Sequence, residues 1–93
     1  MFERLYAIYD LKSMSYDKPF SAPNHGSAIR AVRSAMRDPN SSLVLFPADF
    51  QIFCIGGFDH GTGVVTAVTP VELVAQVLAL VDKGVDMQVG GLL

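Results

Sequence analysis

The chain has a single cysteine, Cys54, so no disulfide can form within it, which agrees with a reducing cytoplasm. It also lacks the uncharged apolar run of roughly 18 residues that a membrane span requires. The amino-terminal stretch Met1-Phe2-Glu3-Arg4-Leu5-Tyr6 has no basic segment, apolar core and small-residue cleavage site in sequence, so no export signal is expected. Basic residues are scarce beyond the first half. From Asp38 onward Lys83 stands alone against Asp38, Asp49, Asp59, Glu72, Asp82 and Asp86, a balance of −5.

What remains is apolar and short. With 51% hydrophobic and 17% charged residues the chain is too apolar for disorder, and 93 residues leave room for one soluble globular domain. The net charge of −2 argues against a protein that coats nucleic acid through its overall field. The basic residues are nevertheless gathered together. Through Arg37 there are six (Arg4, Lys12, Lys18, Arg30, Arg33, Arg37) against three acidic ones (Glu3, Asp10, Asp17), giving +3, so any phosphate contact is expected from this half.

Leu5 to Tyr9 has the aromatic and β-branched content of a strand. Lys12 to Pro23, with serines and two prolines in its second half, reads as a loop. Asn24 is placed to cap a helix whose apolar positions Ala28, Ile29, Val32, Ala35 and Met36 recur at steps of three and four, ending before Pro39. Arg30, Arg33 and Arg37 follow the same steps and fall along one side of that helix. Leu43 to Phe46 and Pro47-Ala48-Asp49 fit an irregular strand or a helical turn equally well. Gln51 to Phe58 predicts a central strand, Asp59-His60-Gly61-Thr62-Gly63 a hairpin turn, and Val64 to Val68 the returning strand.

Thr69-Pro70-Val71-Glu72 matches a helix start, with threonine as cap, proline at the first helical position and glutamate to complete a capping box. The helix is expected to run to Gly84, with Leu73, Val74, Val77, Leu78, Leu80 and Val81 forming a broad apolar face. So broad a face suggests a partner surface, most simply a second copy in a homodimer. The predicted fold is α+β: one domain over 1–84 in β-α-β-β-α order, with two helices packed on a face of a small antiparallel or mixed sheet. Residues 85–93 are expected to form a flexible tail.

Little in the chain reads as catalytic. Cys54 lies inside an apolar strand and reads as a structural residue, His25 falls in the first helical turn and His60 in the hairpin turn. None forms a nucleophile–base motif or has metal-ligand spacing, so no enzyme activity, cofactor or metal is expected. Gly56-Gly57 and Gly61-x-Gly63 lack a phosphate-loop spacing. Two candidates for nucleic-acid contact remain. The arginine stripe suits phosphates, although a merely solvated helix face has the same look. Tyr9, Tyr16 and Phe20 accompany the basic half as stacking platforms for unpaired bases do, with Tyr16 the most exposed by its polar context; core packing suits Tyr9 and Phe20 as well.

Leu5 to Asp10 (LYAIYD), Pro19 to Val32 (PFSAPNHGSAIRAV), Asp38-Pro39-Asn40 and Phe46 to Gly63 (FPADFQIFCIGGFDHGTG) together resemble the nonstructural DNA-binding protein of gokushovirus-type (Microviridae) single-stranded DNA phages. The most specific parts are the order Pro-Phe, Pro-Asn, Ala-Ile-Arg and the order Pro-x-Asp-Phe, Ile-Gly-x-Phe-Asp, Thr-Gly. The hairpin turn, less acidic here, and Cys54, where a polar residue is common, depart from the family pattern. The resemblance implies a protein made during infection in the bacterial host cytoplasm, bound to DNA in its single-stranded form, and linked to the switch towards single-stranded genome synthesis or to packaging. It implies no catalytic residue. Arg30 lies within a matching motif; Arg33, Arg37, Lys12, Lys18 and Tyr16 join it as candidate DNA contacts by position. The alternative expectation is a module that binds a phage or host replication or assembly protein through the apolar face of the last helix.

Overall fold

Aromatic and branched side chains alternate along Phe2–Asp10, and this stretch forms β1, on which the other strands are assembled. A computed structural model describes residues 2–81 of the protein. Along one side β1 pairs antiparallel with β4 (Phe50–Asp59), from Phe2 opposite Asp59 to Asp10 opposite Phe50. Along its other side it pairs in tandem with two short strands, β2 (Ser15–Tyr16) beside Tyr9 and Asp10, and β3 (Phe20–Ala22) beside Arg4 to Tyr6. β5 (Val65–Gln76) pairs with the far side of β4, giving the order β2-β1-β4-β5 with β3 off that path. Every pairing is antiparallel, and the α+β class is as expected.

The stretch expected to be a continuous loop, Lys12 to Pro23, therefore contains β2 and β3. Its prolines punctuate the strands instead of forbidding them: Pro19 precedes β3 and Pro23 follows it, so neither has to donate to the ladder within a strand. After β3 comes α1 (His25–Ala35), whose cap is the expected one, with the Asn24 side chain accepting a hydrogen bond from the Ser27 amide at 2.9 Å. Leu43 to Phe46 resolves as helical: α2 (Ser42–Leu45) starts at Ser41, whose hydroxyl accepts from the Leu43 amide, and a 3-10 turn over Pro47–Asp49 leads into β4. The hairpin turn joins β4 to β5, with Gly63 at a φ of +77° that suits glycine.

The helix expected from Thr69 is a strand. Thr69, Pro70, Val71 and Glu72 all lie in β5, and residues 77–81 are helical. A capping box is a local preference of about 1 kcal/mol, and pairing along β4 outweighs it. Pro70 is accommodated because the register jumps there: Cys54 faces Glu72 and Gly56 faces Ala67, so residues 68–71 bulge and the missing amide costs no ladder bond to β4. The single apolar helix face inferred over Leu73 to Val81 is correspondingly absent. Leu73 and Val74 belong to β5, while Val77 and Leu80 are buried in the core. The expected tail, residues 85–93, and the expected helix end at Gly84 lie outside the described residues.

The core occupies one face of the sheet. Tyr6, Ile52 and Cys54 point from β1 and β4 towards Ala28 and Val32 of α1, with Ala22, Val77 and Leu80 closing the sides. α1 and the helical residues 77–81 thus lie on the same face, and burying one side chain such as Ile52 contributes about 1.5–3 kcal/mol. Strand alternation sends Ala7, Tyr9 and Phe53 to the opposite face. A bulge at Ile55 resets the alternation of β4, since Leu5 faces Gly56 but Tyr6 faces Cys54.

Gly56 sits beside that bulge, where a Cβ would lie 2.6 Å from the backbone carbonyl oxygen of Thr66 in β5. At Gly57 the obstacle is the Phe2 ring, a side chain that is 58% exposed and free to swing away. Gly56→Ala should therefore destabilise the fold by about 1–3 kcal/mol and Gly57→Ala by clearly less, read from denaturant unfolding midpoints. Equal losses would show that the β4–β5 approach is not the tighter constraint.

Candidate nucleic-acid interface

The arginine stripe forms because α1 turns Ala28 and Val32 inward and has Ile29 and Met36 packed against the core edge. With those positions turned to the sheet, helical spacing leaves Arg30 exposed and Arg33 half-buried on the flank, while Arg37, also exposed, lies in the turn just after the C-cap Met36. The three arginines, with Gly26 and Ser27 near the helix start, line one shallow groove along α1. No acidic residue lies within His25–Ala35, and Asp38 follows Arg37 in the turn after the helix.

Lys12 and Lys18 sit elsewhere. Lys12 is in the turn joining β1 to β2 and Lys18 in the link from β2 to β3, both exposed at the β2 edge of the sheet. Their neighbouring carboxylates are partly engaged by the backbone. Asp10 Oδ1 accepts from the Lys12 amide at 2.9 Å, and Asp17 Oδ1 accepts from the Lys18 amide at 2.8 Å.

Tyr16 is 47% exposed and packs on the face of the sheet opposite α1. There it meets Tyr9, its ladder partner, at a ring separation of 4.7 Å, and Phe53 at 5.8 Å, while Tyr9 and Phe53 stand 6.2 Å apart edge to face. These separations are those of favourable aromatic pairs. Phe20, the other ring considered from the sequence, belongs to the core side, stacked 5.8 Å from Tyr6. The fold thus brings Tyr16 together with Tyr9 and Phe53 on the face opposite α1, while Lys12 and Lys18 lie in the links on either side of β2. Phe53 was not a candidate from the sequence. Finding it required the register, because only Phe53 facing Ala7 puts its ring diagonally beside Tyr9.

A second arrangement links three elements on the core side. The fully buried Tyr6 places its hydroxyl 2.8 Å from His25 Nδ1, and His25 Nε2 lies 3.6 Å from Glu72 Oε2. With Nε2–H turned towards the carboxylate, Nδ1 is left to accept from the Tyr6 hydroxyl. Burial raises the Tyr6 pKa above its ordinary value, Cys54 and Glu72 add to the rise, and Arg4 opposes it. Glu72, expected as a capping residue, thus ties β5 to the start of α1. At the far end His60 Nε2 lies 3.4 Å from Glu3 Oε1, and its ring packs on Phe58. Cys54 is buried, its thiol 3.8 Å from the Gly56 carbonyl oxygen. Among the described residues no three His, Cys, Asp or Glu side chains gather as a metal site would need, and no helix is long and apolar enough to cross a membrane.

The fold and these surfaces define a small antiparallel α+β domain with one basic helix face and one aromatic sheet face. The family described as Phage ORF5 protein matches residues 3–80, and the chain belongs to that phage protein family. No curated protein and no solved structure gives a significant match.

The raised pKa of Tyr6 has a definite sign for stability. Folding favours the protonated phenol, so its contribution is complete below about pH 10 and is lost as the pH rises through the folded-state value. Tyr6→Phe should cost about 1 kcal/mol at neutral pH through the lost hydrogen bond and should reduce the alkaline loss of stability. Urea unfolding of both proteins from pH 7 to pH 11 checks this; identical alkaline slopes would assign the loss to another group.

Proposed function

We propose that this phage protein is a nonstructural DNA-binding protein that acts in the switch to single-stranded viral DNA synthesis or in genome packaging, contacting phosphates with little sequence specificity. The observation that carries the reading is the groove lined by Arg30 and Arg33 of α1 and by Arg37 just beyond its C-cap, in a chain whose net charge is −2. Clustered guanidinium groups raise the local positive potential, which attracts the phosphates of a polyanion in spite of the acidic net charge. Resemblance to the gokushovirus nonstructural protein in the four segments Leu5 to Asp10, Pro19 to Val32, Asp38 to Asn40 and Phe46 to Gly63 supports the same reading and the bacterial host cytoplasm as its place of action. Arg30 is the first residue in this assignment. The reading gives the protein no catalytic role.

The rival, a protein-interaction module built on the last helix, loses its main support because Leu73 and Val74 lie in β5 and Val77 and Leu80 are buried. A homodimer remains compatible with DNA binding, supported now by the exposed Val65, Val71 and Leu73 of β5.

Fluorescence anisotropy of labelled single-stranded and duplex DNA over a series of salt concentrations tests the proposal. Binding should weaken steeply with salt, each neutralised phosphate of a single strand contributing a slope of about 0.7. Replacing Arg30, Arg33 and Arg37 together with glutamate should reduce affinity severely and flatten the slope by about two units. Unchanged affinity in that variant would remove the phosphate contacts from α1.

A further inference from the structure

We infer that the face of the sheet opposite α1 is a stacking platform for the bases of an unpaired DNA strand, formed by Tyr9, Tyr16 and Phe53. The inference rests on the DNA-binding reading and extends it, by naming the form of DNA and a second contact surface. Three rings gather there within 4.7–6.2 Å of one another, none of them a member of the core cluster. Tilts of 55° to 85° between the rings leave them mutually inclined, so they do not form one closed stack, and Tyr16 is the outermost, 47% exposed. A flat apolar ring with an accessible face is the chemistry that takes a nucleobase of any identity.

The surroundings fit a nucleotide better than a purely apolar partner. Lys12 and Lys18 flank Tyr16 in the chain, both exposed, and offer cations to the phosphates on either side of a stacked base. Asp10 and Asp17, the nearest acidic residues in sequence, each have a carboxylate oxygen accepting from a backbone amide. Duplex DNA cannot use this surface, because its bases are stacked on one another and must be extruded before a ring can reach them. The arginine stripe and the rings lie on opposite sides of the sheet, so a single molecule of DNA touching both has to bend around the β2 edge. An unpaired strand does so readily, whereas a duplex is stiff over a length many times that of this domain.

The test compares oligothymidylate of about twelve nucleotides with an abasic deoxyribose-phosphate strand of equal length, by anisotropy at fixed salt, for the natural protein and for Tyr16→Ala and Tyr16→Phe. Oligothymidylate is expected to bind at least about tenfold more tightly than the abasic strand. Tyr16→Ala should erase most of that difference while leaving abasic affinity unchanged, and Tyr16→Phe should preserve it. Circular dichroism verifies that both variants fold, as the exposure of Tyr16 leads one to expect. Equal binding of the two strands by the natural protein, or an equal loss for both in Tyr16→Ala, overturns the stacking platform. Salt-dependent binding of the abasic strand leaves the phosphate reading standing in that case, whereas failure of both strands to bind overturns the two together.

Discussion

Strand β1 is hydrogen-bonded along both of its sides, and the two-residue period of its side chains decides what each surface of the protein becomes. Tyr6 and Ile8 turn towards α1 and contribute to the core; Ala7 and Tyr9 turn away and begin the aromatic face. A slip of one residue in its pairing would exchange these sets, exposing Tyr6 and driving Tyr9 into the interior. The bulge at Ile55 and the glycine beside it hold the alignment, since β5 approaches too closely at Gly56 to admit any side chain. Core, basic helix and aromatic patch are in this sense three outcomes of one register.

Local chemistry explains why some of this was readable in advance. The Asn24 cap and the apolar spacing of α1 depend on residues within a few positions of each other, and both stand as expected, although the helix ends at Ala35 and leaves Arg37 in the turn beyond it. The hairpin at Asp59 to Gly63 was legible for the same reason, because turn residues state their own conformational needs. Thr69-Pro70-Val71-Glu72 shows where such reasoning ends. Its four residues match a helix start, yet the neighbouring strand supplies ladder partners and a bulge that absorbs the proline, and no short window of sequence contains that strand.

The surfaces proposed to contact DNA divide along the same line. Tyr16 was accessible to reasoning because serine and aspartate surround it, and an aromatic ring in a polar segment is conspicuous. Its companions were not: Phe53 is 37 positions away and Tyr9 reads equally well as core. The contact of Tyr6 with His25 and of His25 with Glu72 likewise joins three elements through positions that no motif connects. Side chains brought together by sheet pairing leave a trace in the sequence only through alternation, and the bulge in β4 breaks even that trace.

The irregularity of β5 has a further consequence. Among the described residues β5 is an outer strand of the sheet, long, with exposed valines and a single charged side chain, Glu72, features that ordinarily invite a neighbouring chain to add itself to the sheet. Pro70 has no amide hydrogen to offer, and the bulge around it breaks the even spacing that an incoming strand would have to match. The border therefore makes a poor template for fibrous self-assembly. At high protein concentration such a border keeps the sheet finite, because each added chain would lack matching ladder partners.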